Sequence, residues 1–341
     1  MKRSKKVALI TALILIGAGI VLGSVCTAIT QGDFSMFSTT QYMELNHDVT
    51  SPFTSIRIEA SDHDVHIIPS PDKGCHLTVI TPKRDSVTSE FDRGTLVIEV
   101  CNHRAWYEHI SLFNYRSPQI ILALPEDSYE NLGVQVGSGK IEVADGFTFD
   151  EVNLHTGSGN VFAANMHAEN LFVDANSGKI ELYNLNVENI MQLEASSGNI
   201  TLSNVNSNGK IEAEVSSGRI TCDTMTVAGT MDFSASSGNT ELRNVQADGG
   251  IRAESNSGKI EFTNVITEGP MDLSTSSGSI VLEDCDAGEL DISTSSGSVK
   301  GHLLTDKVFV CDTGSGSIHV PTSTTGGVCR IKTGSGSIRF E

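Results

Sequence analysis

The chain has 341 residues with 32 Gly, 8 Pro and 6% aromatic residues, too little proline and too much patterned aliphatic residue for a disordered chain. Its formal net charge is −19, from 42 acidic and 23 basic residues, and four of the basic ones lie in the first six positions. So acidic a remainder repels phosphate backbones, which argues against nucleic acid as a partner.

The basic segment Met1–Lys6 precedes Val7–Ile29, which carries no charge. As a helix this run spans about 30 Å of hydrocarbon. It is longer than the apolar part of a secretory signal, and Ser24-Val25-Cys26 makes a poor cleavage site, so an uncleaved anchor is expected. Val25 before Cys26 also speaks against lipidation there. No basic residue follows the run until Arg57, so the positive-inside bias places residues 1–6 in the cytoplasm and the rest outside. The expectation is a single-pass cell-membrane protein that meets the lipid bilayer through Val7–Ile29. Residues 30–51 are polar and read as a linker.

Residues 52–130 alternate apolar and polar positions, as in Ile56-Arg57-Ile58-Glu59 and Leu96-Val97-Ile98-Glu99, with breaks at Pro69-Ser70-Pro71-Asp72 and Asp92-Arg93-Gly94. They predict irregular β structure capping the membrane-proximal end. An extended Asp62-His63-Asp64-Val65-His66 would bring Asp62, Asp64 and His66 to one face, a weak candidate for a metal beside the ordinary reading of surface polarity. His103, Trp106, Tyr107 and His109 form an aromatic loop that could act as a contact surface. Cys75 and Cys101 leave a disulfide open.

From 131 to 341 the chain repeats. The dipeptide Ser-Gly recurs with its glycine at Gly139, Gly159, Gly178, Gly198, Gly218, Gly238, Gly258, Gly278, Gly297, Gly316 and Gly336, at spacings of 19 or 20. Seven residues before each glycine the position is apolar, from Leu132 and Val152 to Phe309 and Cys329. Five before, it is apolar again, from Val134 to Ile331, while the positions between are mostly polar. Period two marks strands with one buried face. A unit of about 20 residues cannot bury its own apolar edge, so the units must stack. The fold class expected is all-β, a parallel β-solenoid of about eleven coils. The glycine serves either a positive φ or a close approach of neighbouring backbones.

The second turn of the unit carries Asn165, Asn184, Asn204, Asn244 and Asn264, which stacking would join into a side-chain ladder. The residue after each glycine runs Lys140, Asn160, Lys179, Asn199, Arg219, Asn239, Lys259, so cations alternate with neutral amides and like charges avoid each other in adjacent coils. Cys222, Cys285, Cys311 and Cys329 fall at core-facing phases and read as small buried hydrophobes. Asp174, Glu194 and Glu214 form one outward column; Glu212, Asp232, Asp272 and Asp291, interrupted by Arg252, form another. Solvated faces are expected there before weak divalent-cation sites. The last strand, Ile338–Phe340, leaves an open edge at the C-terminal end, where copies could associate end to end.

The basic tail and apolar run, Phe53-Thr54-Ser55-Ile56-Arg57-Ile58, Asp64-Val65-His66-Ile67, Leu122-Ala123-Leu124-Pro125 and the serial Ser-Ser-Gly-x-Ile units together resemble the bacterial family of putative adhesins, LiaG-like proteins among them. The resemblance covers roughly residues 50–341 and implies a β-strand-repeat protein of the bacterial cell envelope with no catalytic residues. Acidic residues are spread by the repeat, and no long loop leaves it to build a cleft, so an enzyme and a cofactor are not expected. The reading is a non-catalytic surface module binding a glycan, a wall polymer or a protein. Its alternatives are an envelope-stress scaffold acting on a membrane partner and, more remotely, a glycan-active enzyme.

Overall fold

The computed structural model describes residues 41–102 and 117–341, with isolated helical positions at Ile16, Gly17, Gly19, Ile20 and Ser24. The loop holding His103, Trp106, Tyr107 and His109 lies outside the described residues, as does most of the expected anchor Val7–Ile29. Among the described residues no helix is long and apolar enough to cross a membrane.

The repeat region is a parallel β-solenoid. Each Ser-Gly unit supplies two short strands that pair in register with those of the neighbouring units. Met231–Ala235 is representative: its residues are alternately buried and half-buried, as a one-faced strand requires. Inward side chains form continuous columns whose volumes compensate. Fully buried Phe233 lies between Ala213 and Ala253, so the ring takes space that its neighbours leave.

Close backbone approach, not a positive φ, is what the turn glycine provides. A Cβ on Gly218 would fall 1.6 Å from the Gly198 carbonyl oxygen, and the same conflict recurs up the column. Six units add a hydroxyl three residues before the glycine. In one of them, the Gly159 N–H donates to Thr156 Oγ1 (3.0 Å), and that hydroxyl donates to the Gly139 carbonyl of the preceding coil (3.0 Å). The left-handed backbone sits in the second turn, at Asn165, Asn184, Asn204, Asn244 and Asn264, with φ between 50 and 54°. Asparagine tolerates that conformation better than other residues with a side chain. Their amides climb the stack: Asn184 Nδ2 donates to Asn165 Oδ1 (2.8 Å), Asn204 Nδ2 to Asn184 Oδ1 (2.7 Å) and Asn264 Nδ2 to Asn244 Oδ1 (3.0 Å). Thr224 interrupts the ladder, and Asn244 reaches Asp223 Oδ1 instead (3.0 Å).

The parallel ladder extends below the first Ser-Gly unit. The N-terminal strands are β1 (Tyr42–Val49), β2 (Ser55–Ala60), β3 (Asp64–Pro69), β4 (Cys75–Pro82), β5 (Ser86–Asp92), β6 (Thr95–Cys101) and β7 (Gln119–Leu124). β2 pairs in parallel with β6 and with Ser128–Val136, and β3 with β7 and with Ile141–Val143. Beyond β6 and β7 the pairing turns antiparallel: β5 lies on β6, β4 on β7, and β1 on β4. Tyr42–Val49, expected within a linker, is therefore a strand.

His76 of β4 ties β1 in place. Its Nδ1 meets Asp48 Oδ1 of β1 (2.7 Å) and its Nε2 meets Asp72 Oδ1 (2.8 Å). Asp72, then Asp48, raises the imidazole above its ordinary 6.5, and the His76 hydrogen bond holds Asp72 down at about 2. A raised histidine stabilises the fold below the unfolded value, and that contribution is lost as pH rises through the folded value. An NMR titration is expected to place the His76 midpoint above 6.5, and Asp72→Asn to bring it down. An unchanged midpoint in the variant would mean that the Asp72 contact does not form in solution.

At the C-terminal end the last two units stack out of sequence order. Glu289–Thr294 pairs with Gly327–Thr333, which in turn pairs with Lys307–Thr313. Val299–Leu303 pairs with Ile338–Phe340, which pairs with Ile318–His319. The Gly336 unit thus lies between the Gly297 and Gly316 units. This corrects the expected open edge at Ile338–Phe340. Ile338 and Phe340 are buried, whereas Val310 and Ile318 of the outermost unit are 56% and 42% exposed. Two features fit this order. Phe340 pairs with Gly301, which has no side chain, and its ring meets Phe309 at 5.3 Å between centroids. Buried Lys307 bonds Asp286 Oδ1 and the Ala287 carbonyl, both at 2.7 Å, which fixes the start of the outermost unit.

Candidate functional site

The outward residues of five successive coils form a shallow open groove of about 410 Å³. β2 contributes Arg57 and Glu59, and the next four coils contribute Gly133 and Gln135, Asn153 and His155, Phe172 and Asp174, and Gln192 and Glu194. Strand alternation turns these side chains to solvent, while Ile58, Val134, Leu154 and Val173 fill the core behind them.

One glycine and one phenylalanine shape the groove. Gly133 pairs with Arg57 on one side and Asn153 on the other, so the column of side chains has a notch there. A Cβ on Gly133 would meet nothing closer than the Ile56 carbonyl at 3.8 Å, so this glycine leaves space and relieves no clash. Half-buried Phe172 lies in the lining two coils further on. Polar pairs surround them: His155 Nδ1 lies 3.0 Å from Asp174 Oδ2, Gln192 Nε2 donates to Glu194 Oε1 (3.0 Å), and Arg57 forms an ion pair with Glu59 (Nε to Oε1 3.6 Å). An aromatic ring among paired donors and acceptors suits a hydroxyl-rich ligand held without covalent chemistry.

The sequence-derived candidates are placed as follows. Asp62, Asp64 and His66 are not gathered. Asp64 Oδ1 accepts the Lys140 N–H (2.9 Å), and His66 Nδ1 pairs with Glu142 Oε2 (2.7 Å). Partial burial opposes ionisation of Glu142, but the Lys140 hydrogen bond and the charges of His66 and Lys140 outweigh it and hold the carboxyl below its ordinary value. Asp62 lies instead with His63 and Asp85. Every described cysteine is free, with Cys75 buried and Cys101 exposed. Burial raises the thiols of Cys222 and Cys285, and that of Cys329 to about 12, as inert core residues require. Cys311 departs from the expected burial, being only half-buried because its unit is outermost.

The acidic columns stack in register, Asp174 beside Glu194 beside Glu214, and Asp272 between Arg252 and Asp291. Burial and then Asp291 raise the Asp272 carboxyl above its ordinary value. The alternation after each turn glycine proves to be a set of hydrogen bonds. Asn160, Asn199 and Asn239 side-chain oxygens accept the backbone N–H of Lys179, Arg219 and Lys259 in the next coil, each at 2.9 Å. Sequence reasoning saw charge spacing there and missed the acceptor. It also missed the groove; the replacement of a polar outward residue by Gly133 was the available signal.

The chain matches the family described as Toastrack DUF4097 over residues 53–270 and 246–341. No curated protein matches it. Among solved structures it is similar to a putative adhesin from Bacteroides fragilis, at 13% identity over 89% of this chain and 99% of that one, with a TM-score of 0.32. It is also similar to a putative lipid binding protein from Parabacteroides distasonis, at 14% identity over 87% and 96% of the two chains with a TM-score of 0.29. A putative adhesin from Parabacteroides distasonis is 10% identical over 89% and 98%, with a TM-score of 0.31. From a match whose two overlapping segments together span residues 53–341, the chain belongs to the Toastrack DUF4097 family.

Proposed function

We propose that the protein is a non-catalytic binding module of the cell surface that takes an extended, hydroxyl-rich polymer, a cell-wall or other glycan, along the five-coil groove. In this reading Met1–Lys6 and Val7–Ile29 hold the solenoid outside the membrane. The observation that carries the proposal is the groove itself. It runs along five coils, at about the 4.8 Å spacing of paired strands, carries the pairs Arg57–Glu59, His155–Asp174 and Gln192–Glu194, and places Gly133 and Phe172 where a ring could seat. Polar groups spread along five coils suit a polymer better than a compact metabolite. No described feature suits turnover. The described His–hydroxyl–carboxylate chain, through His63, Thr81 and Asp85, has a fully buried hydroxyl that substrate cannot reach.

The test is sedimentation of the purified full-length protein with isolated cell walls, beside a glycan array. Saturable binding is expected. Phe172→Ala, which removes the ring, and Gly133→Gln, which fills the notch, are each expected to weaken it about tenfold, or about 1.4 kcal/mol. Absence of binding to walls and array alike would overturn the proposal and favour a membrane partner. Binding that both variants leave intact would remove the groove as its site.

A further inference from the structure

The lower corner of the stack holds a cluster that the groove does not use. His63 stands where the coils above have their turn glycine, since a Cβ on Gly139 would fall 1.7 Å from the His63 carbonyl. Its side chain meets Thr81 of β4 and, through it, Asp85 of the β4–β5 turn. His63 and Thr81 are fully buried and Asp85 is 4% exposed.

The hydrogen bonds fix the imidazole. Thr81 Oγ1 lies 2.8 Å from His63 Nε2 and donates to Asp85 Oδ2 (3.1 Å). A hydroxyl has one proton, so with that proton on the carboxylate side the Nε2–H must be the donor to Oγ1. In a neutral ring Nδ1 then carries a lone pair, and it faces Asp62 Oδ1 at 3.5 Å. One donor atom from each of Asp62, His63 and Asp85 lies within 4.8 Å of the other two. Metal bonds of about 2.0–2.1 Å at tetrahedral angles set neighbouring ligands roughly 3.3 Å apart, near the 3.5 Å between His63 Nδ1 and Asp62 Oδ1. A histidine whose second ring nitrogen donates to an outer partner is the usual arrangement behind a metal.

We propose that Asp62, His63 and Asp85 bind a divalent transition-metal ion of the Zn²⁺ class, clamping the first coil to the β4–β5 turn. One imidazole nitrogen and two carboxylate oxygens suit such an ion, whereas Ca²⁺ takes six to eight oxygens. All three residues also engage other groups, so the ion enters by exchange.

The test is metal titration of the full-length protein, stripped with chelator and carrying no histidine tag. Zn²⁺ binding is followed by calorimetry and Co²⁺ by visible absorption. One equivalent, a Co²⁺ spectrum of low coordination number and a Zn²⁺-dependent rise in melting temperature are expected. His63→Gln and Asp85→Asn should each weaken binding at least about tenfold, while His76→Gln, on β4 but outside the cluster, should not. No stoichiometric binding by the folded native protein, as when a proton on Nδ1 takes the place of the ion, would overturn the proposal. So would binding that survives both cluster substitutions. If those variants fail to fold, the stoichiometry and Co²⁺ spectrum of the native protein decide alone.

Discussion

Gly218→Ala is expected to destabilise the protein by about 4 kcal/mol or more, because its added methyl would sit 1.6 Å from the Gly198 carbonyl oxygen. The obstacle is backbone, so no rotamer change relieves it. Opening the coil spacing locally would break hydrogen bonds such as that from the Ser217 N–H to the Ser196 carbonyl (3.1 Å). A solenoid is held by nearest-neighbour interfaces, so a fault in the middle weakens the coupling between its halves. Gly133→Ala is the control. Its methyl meets only ordinary contact at 3.8 Å, and the loss of chain freedom in the unfolded state is expected to make it neutral or stabilising by about 0.4–1 kcal/mol. Urea unfolding of both variants checks the contrast. Equal midpoints would show that the coils are spaced more widely than described.

Lys307→Ala is expected to cost about 3 kcal/mol, the penalty for breaking a buried ion pair. The Lys307 side chain is 5% exposed and that of Asp286 18%, and the ammonium also satisfies the Ala287 carbonyl. The loss should fall on the outermost unit. Hydrogen exchange of the native protein is expected to protect 327–340 more than 307–319, although 327–340 lies nearer the chain terminus. In Lys307→Ala, exchange over 307–319 should quicken first. The reverse order of protection in the native protein would show that the units stack in sequence order.

The groove shows why a surface was harder to read than the fold. Each of its residues is ordinary in its own unit: Phe172 and Asn153 are single outward positions among many. Only the parallel register places Arg57, from a segment without Ser-Gly, beside Gly133 and lines both up with residues 20 to 135 positions later in the chain. The corner cluster is similar. Asp62 and His63 are adjacent, but Asp85 reaches them only because β4 folds back antiparallel onto β7, a pairing that no periodicity announces.

The sequence by itself determined the repeat, its period, the inward columns and the two turns. A strand with one buried face must alternate, and a backbone packed on itself must have glycine where coils touch. Tertiary structure alone decided which of two roles the glycine plays, since a local pattern cannot tell a positive φ from a close approach. It decided that Ser55–Pro69 joins the stack, where β2 and β3 pair in parallel without the Ser-Gly signature. It decided the order of the last two units as well. Both carry the same register and the same turn, so the repeat is satisfied equally by either order. What separates them is side-chain fit, Phe340 over Gly301 and Lys307 on Asp286, which exists only once the coils are stacked.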